Sequence, residues 1–241
     1  MWRAAVVLVA AVALSGCGDE GTGRDATPPT VATKTTAAPA FGDFADLEAG
    51  RRYVSARFKP AIAFRVPPGA WSTEVGDSVG HVAIAATDPP GRIDQAILAL
   101  HRMTRVFDPR RGGRIPGDQV AFSGSFARWL SEHPRLRTTQ PKPVRLMGLD
   151  GVQLDLVNTR SSPAATPDDC GKVGPRCVPL FHDGLDFVAY SAGNHGRFTV
   201  LALPEGGELV IEQFVEPAGA FAAGLRMLRP LLGALELERP G

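Results

Sequence analysis

The sequence predicts an α+β fold: a meander of antiparallel β-strands with about two packed helices. Three observations carry this. Short apolar or alternating runs recur along the chain, the pattern of half-buried and buried strands. Clusters of Pro, Gly, Asn and Asp separate them, as hairpin connections require. Two segments carry an apolar stripe at helical spacing instead. Six to nine strands in hairpins, with helices to one side, make an α+β architecture.

Taken in order, Tyr53 to Phe58 and Ile62 to Val66 read as strands, followed by a turn at Pro67-Pro68-Gly69. Trp71 opens the next extended stretch. His81 to Ala86 is a strand ended by Asp88-Pro89-Pro90-Gly91. Ile93 to Phe107 fits either a helix or a strand; the reading adopted is a strand after a short helical turn. Phe122, Phe126, Trp129, Leu130 and His133 share one helix face, with Ser123 or Ser125 as cap and Pro134 as stop. Val144 to Met147 and Val152 to Val157 flank Leu149-Asp150-Gly151, and Asp-Gly is a hairpin signal. Strands follow at Phe187 to Ser191, Thr199 to Leu203 and Glu208 to Phe214, with turns at Asn194-His195-Gly196 and Pro204 to Gly207. Pro217 suits the start of a last helix. Phe221, Leu225, Leu228 and Leu232 form its buried face, and Pro230 is expected to kink or end it. Leu235 to Leu237 is a final short strand.

The formal charge is +1 over 241 residues, so no broad field points to nucleic acid or to an acidic substrate. Arginine outnumbers lysine 22 to 4, the imbalance that GC-rich codon usage produces. Those arginines therefore do not mark a binding surface by number alone.

The N-terminus is organised differently. Met1-Trp2-Arg3 is a short positive segment and Ala4 to Leu14 an apolar run. Spanning a bilayer takes about 20 apolar residues, so this run is too short, but it suits a signal peptide. Leu14-Ser15-Gly16-Cys17 then resembles the lipobox of bacterial lipoproteins. The resemblance implies that the Cys17 thiol receives a diacylglyceryl group and that residues 1–16 are removed. Two or more acyl chains anchor stably. Residues 17–40, rich in Thr, Ala, Pro and Gly, read as a flexible linker, because they offer little apolar surface to offset ordering entropy. Residues 41–241 read as one globular domain. The expected location is the extracytoplasmic face of the cell membrane.

Two cysteines remain, Cys170 and Cys177. In an exported protein a disulfide is the default reading. The alternative is a metal site, since His182 follows in a C-x6-C-x4-H arrangement; four-ligand zinc spacing is absent.

Ile62-Ala63-Phe64-Arg65-Val66-Pro67-Pro68-Gly69-Ala70-Trp71 resembles the opening hairpin of PsbP-like domains, and the segment Glu216 to Leu237 is similar to their C-terminal end. The resemblance implies an α/β/α sandwich and a role in binding protein partners. It supplies no catalytic residues.

Few segments approach a chemical motif. Ala189-Tyr190-Ser191-Ala192-Gly193 approaches the nucleophile elbow G-x-S-x-G. No acid separates Ser191 from His195, and a strand rather than a helix follows. His81, His101, His133, His182 and His195 show no helical metal-ligand spacing. Asp168-Asp169 lacks the calcium-loop series. Arg110 to Arg114 lacks the G-K-[ST] of a phosphate loop; its arginines read as a solvated loop or as contacts to anionic headgroups. Trp71 and Trp129 read as core.

No catalytic, metal or cofactor residues are expected; the site residues are Cys17 for lipidation and Cys170 with Cys177 for the disulfide. The expectation is a non-enzymatic, lipid-anchored domain that binds a protein or cell-envelope component and no nucleic acid. One alternative is a carrier of a lipid or other apolar molecule. Another is an envelope enzyme, signalled by a cleft gathering two or more of His81, His101, His182 and Asp186.

Overall fold

The structure is a computed structural model, and it describes residues 41–110, 118–158, 177–183 and 187–238. The signal segment, Cys17, the linker, Cys170, Asp168-Asp169, Arg111 to Arg114 and Asp186 lie outside the described residues.

In chain order the strands begin with β1 (Asp46–Leu47), β2 (Arg52–Val54), β3 (Ile62–Arg65), β4 (Trp71–Val75) and β5 (His81–Ala86). Next come β6 (Gln95–His101), β7 (Arg105–Phe107) and β8 (Gln119–Ala121). Helix α1 (Phe126–Glu132) precedes β9 (Leu136–Thr138), β10 (Lys142–Leu146) and β11 (Leu149–Asn158). The remainder is β12 (Cys177–His182), β13 (Phe187–Ser191), β14 (His195–Ala202), β15 (Glu208–Glu216), α2 (Phe221–Gly233) and β16 (Leu235–Leu237). The α+β class holds: antiparallel sheets dominate, with two α-helices among the described residues.

The strands form three sheets. The largest has nine strands in the order β1-β4-β5-β6-β15-β14-β11-β10, with β9 also on β11. A second runs β13-β12-β7-β8 and a third β16-β3-β2.

Alternation on the large sheet sorts its side chains into two cores. Val82 and Ile84 on β5 share a face with Leu98 and Leu100 on β6 and Ile211 on β15. They pack with Leu228 and Leu231 of α2 and with Phe64 and Leu235 of the third sheet. The opposite face carries Val210, Phe198, Val200, Leu154 and Leu156. It packs against Phe126 and Leu130 of α1 and against Val178, Phe181 and Tyr190 of the second sheet. Each fully buried Leu or Phe contributes about 1.5–3 kcal/mol relative to exposure. The same period of two places His81, His101 and Glu212 among the apolar residues of the second core.

Several boundaries differ from the sequence reading. The expected strand at Tyr53 to Phe58 shortens to β2, since Ala56, Arg57 and Phe58 donate their N–H groups to Asp77 instead of a neighbouring strand. Ile93 to Phe107 resolves into two strands, β6 and β7. Helix α1 is shorter than its apolar stripe, and Ser125 at its N-cap makes no side-chain cap. The Phe126 N–H donates instead to Glu208 Oε2 at 2.9 Å, so a carboxylate from β15 meets the first turn, where anionic charge is favoured.

The β10–β11 hairpin turns at Met147-Gly148, not at Asp150-Gly151. Both turn residues have positive φ, +52° and +77°, as a two-residue type I′ turn requires, and Leu146 pairs with Leu149. Gly151 sits inside β11. The turn expected at Asn194 to Gly196 falls earlier, and His195 and Gly196 already belong to β14. β13 and β14 also belong to different sheets, so this stretch is not a single meander. Helix α2 buries Gly224, Leu228 and Leu231, and Pro230 lies inside it with its end at Gly233.

Candidate functional site

The candidate site grows out of the β5–β6 hairpin. His81 begins β5 and His101 ends β6, and antiparallel pairing sets them opposite each other. Their rings lie 4.6 Å apart between centroids. Ser78 fixes the first: its Oγ accepts the His81 N–H at 2.9 Å and donates to the His81 carbonyl.

Two carboxylates reach the pair from elsewhere in the chain. Asp183, just past β12, places Oδ2 2.9 Å from His81 Nδ1 and 3.2 Å from His101 Nδ1. Glu212, in the middle of β15, places Oε2 3.0 Å from His101 Nε2. Tyr190 on β13 donates its hydroxyl to Glu212 Oε1 at 2.5 Å. The result is one continuous polar chain, His81–Asp183–His101–Glu212–Tyr190, through the second core. Phe181 covers His101 edge-on at 4.9 Å.

Two glycines make this possible. A Cβ on Gly80 would fall 2.1 Å from the Asp183 carbonyl oxygen, and one on Gly196 would fall 1.8 Å from the Tyr190 hydroxyl. Any larger residue would displace Asp183 or Tyr190.

The site is dry: His101 is 1% exposed, Asp183 2%, Glu212 6% and Tyr190 0%. Burial pushes the His101 pKa down, but the hydrogen bonds and charges of Asp183 and Glu212 outweigh it, and the net shift is upward. Burial likewise opposes the charge on Asp183, yet His101 and His81 hold its carboxyl well below the usual carboxylate range. Tyr190 is raised well above its ordinary value, by burial first and then by Glu212. Each ring nitrogen of His101 thus faces a carboxylate oxygen, Asp183 Oδ2 at Nδ1 and Glu212 Oε2 at Nε2, and both favour its protonated form. His81 differs. It is 9% exposed, and neither ring nitrogen has a partner in hydrogen-bond geometry; the approach to Asp183 is close but not aligned as a hydrogen bond.

Buried ion clusters are costly to assemble and weak sources of stability. Such a cluster beside a cleft is a candidate functional centre. Asp183 also lines a surface cleft of about 500 Å3, together with Arg57, Lys59, Ser78, Val79, Gly80, Arg102 and Thr104. The backbone that carries Arg57 and Arg102 is held in place. Asp77 accepts the N–H groups of Ala56, Arg57 and Phe58, at 2.5, 2.8 and 2.9 Å. The Arg102 N–H donates to the Gly80 carbonyl at 2.8 Å, and Arg102 Nη1 is buried without a hydrogen-bond partner. A second groove, of about 730 Å3, runs past Arg52, Met147 and Glu238. There Arg52 is already engaged by two acids, Glu238 at 2.5 Å and Glu236 at 3.9 Å.

The other sequence candidates are placed as follows. His133 is buried beside Trp129, at 5.0 Å between rings. His195 packs edge-on against Phe221 at 5.3 Å. His182 is half-buried on β12. Ser191 ends β13 and is followed by a turn and then by β14, so no elbow helix stands behind it. Trp71 is core, whereas Trp129 is only half-buried and stacks on Phe126 at 5.5 Å. Cys177 is fully buried at the start of β12; its expected partner, Cys170, is outside the described residues.

In the sequence, His81 and His101 stand out only as two of the four residues whose convergence would mark an assembled site. Asp183, Glu212 and Tyr190 carry no such mark as site residues. A signal for Glu212 was present: one acid, next to Gln213, in the middle of the mostly apolar strand Leu209 to Val215.

No family model matches the chain, and no curated protein matches it.

Proposed function

We propose that this chain is a membrane-anchored extracytoplasmic lipoprotein whose folded domain is a non-enzymatic binding module for an anionic component of the cell envelope. The ligand seat is the cleft between Arg57, Lys59 and Arg102. One observation carries this reading: three cationic side chains line a single cleft, and one of them has a buried donor without an acceptor. A buried unpaired donor costs about 1–3 kcal/mol, and a phosphate or carboxylate oxygen would remove that cost. The lipid anchor rests on Leu14 to Cys17, and the described residues contain no helix long and apolar enough to cross a membrane.

Two experiments test the two halves. A Cys17→Ala variant is expected to leave the membrane fraction; its retention there would contradict the anchor. Glycerol phosphate, titrated into the full chain in detergent, is expected to shift the amide signals of Gly80 and Arg102. Arg102→Ala is expected to weaken that binding at least about tenfold, the loss of a charge-assisted hydrogen bond. Equal shifts in Arg102→Ala would remove the cleft from the account.

A second reading has a specific observation behind it. His81 and His101, two of the residues named as markers of an assembled active site, do converge, with Asp183 as their acid. An envelope hydrolase is the activity class that such a set would serve. Turnover of phosphate or acyl ester substrates, lost in His101→Ala, is its test.

A further inference from the structure

We infer that His81, His101 and Asp183 form a binding site for a divalent transition-metal ion, with zinc as the best-matched probe. One ligand atom from each lies within 4.8 Å of the others. Tetrahedral zinc with bonds of about 2.0–2.2 Å sets its ligand atoms about 3.3 Å apart. The distances from Asp183 Oδ2 to the two imidazole nitrogens are 2.9 and 3.2 Å. Small outward movements would accommodate the ion.

Two further observations point to a ligand. The first is His81 itself: nine-tenths buried, with Nε2 lacking any partner and Nδ1 meeting only Asp183 Oδ2, at 2.9 Å and out of hydrogen-bond alignment. An imidazole in that position needs a partner, and a metal ion supplies one. The second is the support behind His101. Metal-ligating histidines nearly always donate their other N–H to a carboxylate, which fixes the tautomer and ring orientation. Here Glu212 takes Nε2 at 3.0 Å and leaves Nδ1 to face His81 and Asp183. Tyr190 in turn holds Glu212 through its hydroxyl. The metal would replace the proton on His101 Nδ1.

The donor set narrows the ion. Two imidazoles and one carboxylate suit zinc and its first-row neighbours, while calcium and magnesium favour all-oxygen sets. Three protein ligands leave a fourth position, as in zinc sites that exchange a ligand. Asp183 also lines the cleft, as do Ser78 and Gly80 beside His81. The site does not depend on the anion reading, and its test uses no anion.

The experiment is zinc titration of the full chain in detergent after chelator stripping, read by calorimetry and by thermal unfolding. One zinc ion per chain and a raised Tm are expected. His81→Ala is expected to abolish that binding. Glu212→Gln is expected to weaken it about 10- to 100-fold, the usual cost of losing an outer-shell partner. Cobalt in the unmodified chain gives a readout that needs no variant. Visible bands without thiolate-to-metal charge transfer support a nitrogen and oxygen site. Charge-transfer bands would put a cysteine thiolate on the metal and overturn the proposal. So would no binding at all, or unchanged affinity in a folded His81→Ala chain.

Discussion

Replacing Tyr190 by phenylalanine removes one oxygen atom and nothing else from the second core. The ring keeps its contacts to Phe198 and Phe214, at 5.8 and 5.6 Å between centroids. What is lost is the hydrogen bond to Glu212 Oε1. That oxygen belongs to a residue 6% exposed, so water cannot readily take the place of the phenol. A hydrogen bond to a charged group contributes about 1.5–3 kcal/mol. With a urea slope near ~2 kcal/mol per M, a loss of about 2 kcal/mol lowers the unfolding midpoint by about 1 M. The assay is equilibrium urea denaturation at neutral pH, followed by tryptophan fluorescence, with the slope expected to stay constant. A double-mutant cycle with Glu212→Gln should return a coupling of ~1 kcal/mol or more, because the two residues share one network. A midpoint unchanged by Tyr190→Phe, or a coupling near zero, would refute the continuity of the buried chain.

Two further predictions concern other parts of the fold. Burial first, and then the charge of Arg135, lowers the His133 pKa from 6.5 to about 4. Its contribution to stability is complete above pH 6.5 and is lost progressively as pH falls towards 4, because the unfolded chain takes up the proton first. At 1.36 kcal/mol per pH unit the gap amounts to about 3 kcal/mol. His133→Gln should flatten the stability profile in that window relative to the unmodified chain; parallel profiles would rule the residue out. In the β10–β11 hairpin, Gly148→Val should cost about 1–2 kcal/mol, because a branched residue resists positive φ. Asp150→Ala, at an exposed position, should stay within ~0.5 kcal/mol. The reverse order in thermal denaturation would restore the turn to Asp150-Gly151.

Much of the fold was legible because burial follows periodicity. His81 to Ala86, Phe187 to Ser191 and Leu235 to Leu237 are strands at the expected residues, and both helices lie within segments that carried an apolar stripe. The hairpin turn was misread because Asp150-Gly151 is a strong local signal, while the true turn places Met147 at positive φ, a conformation that methionine seldom marks. The cap of α1 was invisible because Glu208 reaches it from a strand far along the chain. The candidate site was half legible. His81 and His101 face each other because the β5–β6 pairing is centred on Gly91, and a register placed there would have found them. Asp183 and Tyr190 arrive from the second sheet, and no local pattern states which face of the large sheet that sheet covers.

The central claim is that the buried His81–Asp183–His101 cluster, oriented by Glu212 and Tyr190, is a ligand-binding centre and not packing alone. Diffraction at the zinc absorption edge, from crystals of the chain grown with zinc, tests it most directly. The account predicts one strong anomalous peak within bonding distance of an imidazole nitrogen of His81, His101 Nδ1 and an Asp183 oxygen. Ordered His81, His101 and Asp183 side chains with no peak between them would contradict it.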